Sequence, residues 1–182
     1  PDEWIKWRAV DDRTAAPFSC HWFTRDPGTR RIYVYREAYQ AGLTSKEQAQ
    51  RINEMTLPRE KIVFTYADPA LWQKKNKDGI VYSSADQYKD NGIPLTQADN
   101  DRLSGKRKMD SALADIGDGE PGLQIFDHCE HLIEQLETLS RDERNPEDVD
   151  TRAEDHAYDS ARYGLTNERK TQEAPKPKTF IH

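Results

Sequence analysis

The sequence predicts an α/β fold: a mixed central sheet, antiparallel over its first three strands and parallel after them, with helices flanking both faces. Three observations point to it. Residues 4–37 contain three runs rich in β-branched and aromatic residues, separated by short turn segments. From residue 44 onward, helical and strand-like segments alternate, as they do where crossover units feed a parallel sheet. The run Lys61-Ile62-Val63-Phe64-Thr65-Tyr66-Ala67 is nearly continuous in apolar character, which is typical of a strand buried on both faces.

Each element has its own justification. Trp4 to Val10 is a strand that runs into Asp11-Asp12-Arg13. Pro17 to Thr24 is the second, closed by the turn residues Arg25-Asp26-Pro27-Gly28-Thr29. Arg31 to Glu37 is the third, and short turns between the three make an antiparallel meander. Thr44-Ser45-Lys46-Glu47 forms a capping box that opens a helix, with Ala49, Ile52 and Met55 as its buried stripe and Pro58 beyond its end. The apolar run then ends in Asp68-Pro69. Ser84 to Asp90 reads as a helix and Ile93 to Thr96 as a short strand. Asp101 to Ile116 is a longer helix with a basic start, Leu123 to Phe126 a strand, and Cys129 to Leu139 an amphipathic helix. The loop 145–151 leads to a final helix around Glu154 to Tyr163. After Leu165 the composition turns polar and ends in Ala174-Pro175-Lys176-Pro177-Lys178. The expectation is one folded domain over residues 1–165 and a disordered tail over 166–182.

Bulk composition narrows the function. The 182 residues suffice for one domain with one core, and with 33% charged against 35% apolar residues that core is small and the surface heavily charged. A net charge of -6 argues against a protein that coats nucleic acid through bulk positive potential, while leaving room for a local basic groove. From Glu137 to Asp159 nine acidic residues face three arginines, a bias suited to cation binding or to solubility. Cys20 and Cys129 have no partners at metal-ligand spacing and read as two ordinary thiols in a reducing compartment. There is no internal repeat, no run long enough to span a membrane and no signal peptide. The start at Pro1, without methionine, reads as an excised piece of a larger chain or a processed terminus.

Carboxylates carry the chemistry. Asp155 and Asp159 lie four residues apart on one helical face, with His156 three positions from Asp159. Like charges so placed destabilise a bare helix, which calls for something positive between them; a hard divalent cation is one candidate, a solvated acidic tip the plainer alternative. Asp11 and Asp68 each stand directly after a strand, and the first and fourth strands of a mixed sheet can be neighbours. Ligands of open α/β sheets collect outside such carboxyl ends. Three or four carboxylates from distant segments fit metal ions better than a shared proton, and two Mg²⁺ or Mn²⁺ ions can clamp an in-line displacement at phosphorus. Asp11, Asp68 and Asp159 are the expected ligands, Asp155 an auxiliary one; taken singly, Asp11 and Asp68 also read as plain turn residues at strand ends. His156 would orient a carboxylate, donate to the scissile phosphate or cap a buried polar cluster.

The motifs also resemble a known family. Trp7-Arg8-Ala9-Val10-Asp11 followed by Ala15-Ala16-Pro17-Phe18-Ser19-Cys20 is similar to the opening of the C-terminal nuclease domain of tailed-bacteriophage large terminase subunits. Ile32 to Tyr39 resembles its third strand and Ala67-Asp68-Pro69-Ala70-Leu71-Trp72 its second acidic motif. Asn100-Asp101-Arg102 with Gly105, and Pro146 to Thr151, fit as well, and Asp155 to Tyr163 resembles the third acidic motif. The resemblance runs from about Trp4 to Leu165. It implies an RNase H-like fold and a metal-dependent endonuclease that cuts concatemeric viral double-stranded DNA during genome packaging, in the cytoplasm of an infected bacterium. By the same resemblance Asp11, Asp68 and Asp159 bind the metal, with Asp155 and His156 beside them. Partners would be an ATPase domain of the same subunit, the portal protein and the small terminase subunit, with no membrane involved. Two positions depart from the family pattern: Asp12 stands where an aromatic residue is frequent and Arg13 where glycine is common. No phosphate loop of the G-x-x-x-x-G-K-[ST] kind occurs, so this chain is expected to hydrolyse no ATP.

DNA contact calls for positive charge near the acids. Lys74, Lys75 and Lys77 form one cluster, and Arg102, Lys106, Arg107 and Lys108 a second at the start of a helix. Such contacts would give affinity without sequence preference, the plainer alternative for both clusters being a solvated surface. Trp72 and Tyr88 read as core residues. Two other readings stay open: an RNase H-like nuclease with another substrate, such as a junction resolvase or hybrid nuclease, and a non-catalytic docking module of the packaging motor.

Overall fold

The first strands follow from side-chain alternation. β1 (Lys6–Asp11), β2 (Phe18–Arg25) and β3 (Ile32–Gln40) form the antiparallel meander. The structure, a computed structural model, describes residues 1–13, 15–77, 79–138 and 155–168. Along β1, Trp7 and Ala9 enter one apolar cluster while Val10 enters another on the opposite face. All six residues of β1 are buried, because helices cover both faces of the sheet and a strand lies on either side.

Helix α1 (Ser45–Met55) starts at the predicted capping box: Thr44 accepts from the Glu47 amide, and Glu47 accepts from the Thr44 amide. β4 (Ile62–Ala67) then pairs parallel to β1. Its second half is buried, but Ile62, Val63 and Phe64 are only partly so, since β7 (Thr96–Gln97) covers β4 only at Tyr66 and Ala67. β7 begins two residues after Pro94, whose ring nitrogen cannot donate to a ladder. A small hairpin of β5 (Lys75–Lys77) and β6 (Ile80–Tyr82) was not legible in the sequence, because Lys75-Asn76-Lys77 has no apolar alternation. Helix α2 (Ser84–Asp90) has its own capping box from Ser83 and Asp86. Helix α3 (Arg102–Leu113) is capped by Asp101, whose side chain accepts from the Ser104 amide at 2.6 Å. β8 (Leu123–Ile125) pairs parallel to β3, and α4 (Glu130–Thr138) and α5 (His156–Thr166) complete the described chain.

The sheet order is β7-β4-β1-β2-β3-β8, mixed as predicted. One face carries α1 and α2 over Val10, Phe18, Cys20, Trp22, Ile52 and Tyr88. The other carries α3, α4 and α5 over Trp7, Phe23, Val34, Tyr66, Leu123 and Leu132. Tyr88 is core, as its sequence context predicts, and Trp72 is partly buried against the same cluster. Both cysteines are buried and unbridged, and burial pushes each thiol up to about 12. Thr166 and Asn167 are buried within the same body, and Asn167 accepts from the Asp99 amide. Most of the acidic run 137–154, and the tail beyond residue 168, lie outside the described residues.

Candidate active site

Strand parity brings the first two acids together. Trp7 and Ala9 point toward α5, and Asp11 continues that odd series. The parallel register aligns Val10 with Ala67, so the next residues, Asp11 and Asp68, leave adjacent strands at one level of the sheet. This is the carboxyl end of both strands.

Helix α5 supplies the rest. Its start would leave unsatisfied amides, and Asp155, though at the N-cap, makes no side-chain cap bond. Gln135 of α4 takes that role: its Oε1 accepts from the Ala157 and Tyr158 amides at 2.9 and 3.0 Å. The Asp155 carboxylate is thereby turned toward Arg102 instead. The azimuth of α5 is set by β2, where Ser19 Oγ and His21 Nδ1 lie 2.9 and 2.5 Å from Ser160 Oγ. His21 Nε2 in turn lies 2.9 Å from Glu37, which also holds His131 and the Leu132 amide of α4. Ser160 is thus bound to the sheet, and its neighbour Asp159 faces the acid-bearing end.

Each acid has a partner. Asp11 Oδ2 accepts from His156 Nδ1 at 3.2 Å and from Arg13 Nε at 3.0 Å. Asp68 Oδ1 caps the 3-10 turn at Pro69–Trp72 by accepting from the Ala70 amide at 2.7 Å, and its Oδ2 accepts from the Tyr163 hydroxyl at 2.8 Å. Asp159 Oδ1 takes Arg162 at 3.0 and 2.9 Å. Arg102 lies between the α5 pair, 3.5 Å from Asp155 and 3.5 Å from Asp159. The positive group that their spacing calls for is, in this structure, a guanidinium.

The electrostatics reflect crowded negative charge. Burial, and then the charge of Asp159, holds the Asp155 carboxyl above the usual range. Burial raises Asp159 as well; Arg162 and Arg102 oppose the shift and the Asp11 charge adds to it. The hydrogen bond to Asp11 holds His156 above the ordinary imidazole range. Burial, and the charges of Asp159 and Asp11, push the Tyr163 phenol up, which keeps it a donor to Asp68.

Among the described residues no three acidic, imidazole or thiol groups converge closely enough to enclose an ion. The donor set nevertheless fits a hard divalent cation in kind: carboxylate oxygens at one sheet end, with Asp11, Asp155 and Asp159 within electrostatic reach of one another.

The basic residues scatter. Lys75 lines a cleft of ≈ 500 Å³ together with Asp12, Arg13, Leu71 and His156. Lys74 pairs with Asp86 at 2.7 Å, and Lys77 lies in the β5–β6 ladder. Along α3 the cluster fans round the helix: Arg102 turns to the acids, Lys106 pairs with Asp110, Arg107 is exposed, and Lys108 donates to the Thr166 carbonyl. Sequence reasoning missed Tyr163, Arg162, Gln135 and the His21–Glu37 network. Arg162 and Tyr163 were readable three and four positions after Asp159; the others act across elements and leave no local signal.

No protein-family model and no curated protein sequence matches the chain. Solved structures do. The P22 large terminase nuclease domain aligns with a TM-score of 0.72 and 20% identity, covering 93% of this chain and 84% of that one. The fold is the terminase nuclease fold. The large terminase from a thermophilic bacteriophage aligns with a TM-score of 0.70 and 18% identity, over 92% of this chain and 41% of that one. The g2p (large terminase) nuclease domain from the bacteriophage SPP1, solved with bound Mn, aligns with a TM-score of 0.63 and 17% identity, over 91% and 86%. The RNase H-like mixed sheet expected from the motifs is therefore observed.

Proposed function

We propose that this chain is a divalent-metal-dependent endonuclease that cuts double-stranded DNA with little sequence preference, as in the packaging of concatemeric phage genomes. The observation that carries this reading is that Asp11 and Asp68 leave adjacent strands at one sheet end, with Asp155 and Asp159 at the start of α5 within electrostatic reach of Asp11. The likeness to phage terminase nuclease domains supports it, and the Mn in the SPP1 domain supports Mg²⁺ or Mn²⁺ as cofactor.

Asp11, Asp68 and Asp159 would hold two ions, with Asp155 completing a coordination sphere. Such ions, when bound, polarise the scissile phosphate and lower the pKa of the attacking water. The remaining work belongs to side chains. Tyr163 orients Asp68, and Arg162 orients Asp159. His156 orients Asp11 through Nδ1, and its ring lines the cleft where a phosphate would enter beside Lys75. Arg107 and Lys108 add to the positive charge for a DNA backbone, and Lys74, Arg102 and Lys106 join them if their acidic partners yield. In the full assembly the partners would be an ATPase domain on the same polypeptide, the portal protein and the small terminase subunit, in the host cytoplasm. That this chain spans 41% of the thermophilic phage's large terminase, a protein also solved in complex with ATP-gamma-S, supports the first of these.

The test is plasmid cleavage. With Mn²⁺ or Mg²⁺ the plasmid is nicked and then degraded, EDTA stops the reaction, and Asp11→Asn cuts at least about a hundredfold slower. Equal rates for Asp11→Asn and the parent would remove the metal assignment. Preference for an RNA–DNA hybrid or a four-way junction over duplex would move the substrate. A docking module is favoured by one observation, that each acid already has a donor or cation on it. A crystal soaked in Mn²⁺ that shows no density between Asp11, Asp68 and Asp159 would decide for that reading.

A further inference from the structure

The arginines at the acid cluster are of two kinds. Arg162 has a side chain 2% exposed and places Nε and a terminal nitrogen on one oxygen of Asp159 at 3.0 and 2.9 Å. Its stem lies against Gly105, where a Cβ would come within 2.6 Å of it. It is built into the packing. Arg13 is different. Its side chain is 46% exposed, while the carboxylate it pairs with, Asp11, is 3% exposed. The fold holds Arg13 through its backbone, because Gln48 Nε2 donates to the Arg13 carbonyl at 2.7 Å. The guanidinium can therefore swing into water without disturbing the chain around it.

Its place matters because it shares an oxygen. Asp11 Oδ2 already accepts from His156 Nδ1, and Arg13 Nε takes the same atom at 3.0 Å from the cleft side. A cation that binds Asp11 through Oδ2 must displace one of these two contacts, and the half-exposed guanidinium leaves at lower cost than the more buried His156 ring. The displaced guanidinium regains hydration, as a half-exposed arginine readily does, whereas the buried carboxylate cannot remain without a counter-charge.

We propose that Arg13 is the resident counter-ion of Asp11 and competes with the divalent cation for its Oδ2, so that this side chain lowers the metal affinity of the site. The proposal rests on the metal reading of the acid cluster. Arg13 keeps Asp11 neutralised before the ion arrives and weakens the ion's binding by the strength of the pair it breaks. Because coupling between two ligands of one site is reciprocal, the ion loosens Arg13 by the same factor by which Arg13 weakens the ion.

Mn²⁺ binding to the full chain, followed by calorimetry and by the electron paramagnetic resonance of free Mn²⁺, tests this without any substrate. Arg13→Ala and Arg13→Gln should bind about fivefold tighter than the parent, and Asp11→Asn far more weakly. On adding diamagnetic Mg²⁺, the ¹⁵N–Hε resonance that disappears in Arg13→Gln should move toward the position of a solvated guanidinium. Arg13 variants that bind Mn²⁺ no tighter than the parent, in a protein whose binding depends on Asp11, overturn the counter-ion role and leave the metal site standing. Binding that is absent, or indifferent to Asp11→Asn, overturns both.

Discussion

At the scale of single residues, the site consists of acids whose charge the fold tolerates rather than welcomes. Asp155 sits at an N-cap without making a cap bond, and burial and Asp159 hold its carboxyl above the usual range. A neutral isostere should therefore relieve the metal-free protein. Asp155→Asn is expected to raise its melting temperature by ~2 °C in scanning fluorimetry without metal, and to shrink the further rise on adding Mn²⁺. A lower melting temperature for the variant would show that the Arg102 contact outweighs the repulsion. Tyr163 acts differently, because its hydroxyl is the donor that positions Asp68. Tyr163→Phe should slow plasmid cutting about tenfold while leaving the circular dichroism unchanged. Unaltered cutting would mean that Asp68 needs no second partner beyond the Ala70 amide.

Among the elements, α5 decides most. It crosses β1 and β2 closely enough that a Cβ on Gly164 would lie 2.5 Å from the Phe23 ring, and the Gly164 carbonyl accepts from Trp7 Nε1 at 3.1 Å. Close approach is what lets a helix side chain as short as aspartate reach the sheet end. Gly164→Ala should cost about 1–3 kcal/mol, seen as a melting temperature several degrees lower. Gly105→Ala should cost a similar amount and also displace Arg162 from Asp159, so its cleavage rate should fall further than that of Gly164→Ala. Equal rates for the two variants would argue that Arg162 has no positioning role. The basic start of α3 illustrates the reverse case: residues adjacent in sequence diverge by about 100° each on a helix, and so one run of positive charge serves several separate contacts.

Across the whole molecule, a buried polar network joins β2, β3, α4 and α5. Burial alone would raise the Glu37 carboxyl, but hydrogen bonds from His21, His131 and the Leu132 amide bring it down to about 2. A carboxylate with a folded pKa below its unfolded value adds stability above about pH 4.5 and loses it as the pH falls toward 2. Urea unfolding between pH 5 and pH 3 should show stability falling by up to about 1.4 kcal/mol per pH unit from this group, and Glu37→Gln should flatten that slope. An unchanged slope would assign acid sensitivity to other groups. Ser160 ties this network to the helix that carries Asp159, so loosening it should loosen the site as well.

Local rules sufficed for much of this protein. The capping box at Thr44, the meander of the first three strands and the strand-end positions of Asp11 and Asp68 depend on neighbours within a few residues, and such patterns are written in order along the chain. Helical spacing likewise put Asp155 and Asp159 on one face and pointed to a positive charge between them or to a solvated acidic tip. That this charge is Arg102, that Gln135 caps α5, that Tyr163 reaches Asp68 and that β5 and β6 form a hairpin were decided by tertiary structure alone. The physical reason is distance along the chain. Arg102 and Asp155 are 53 residues apart, and Tyr163 and Asp68 are 95 apart. No periodicity or propensity spans such separations; only the parallel pairing of β1 with β4 and the docking of α5 across them bring these groups within bonding reach.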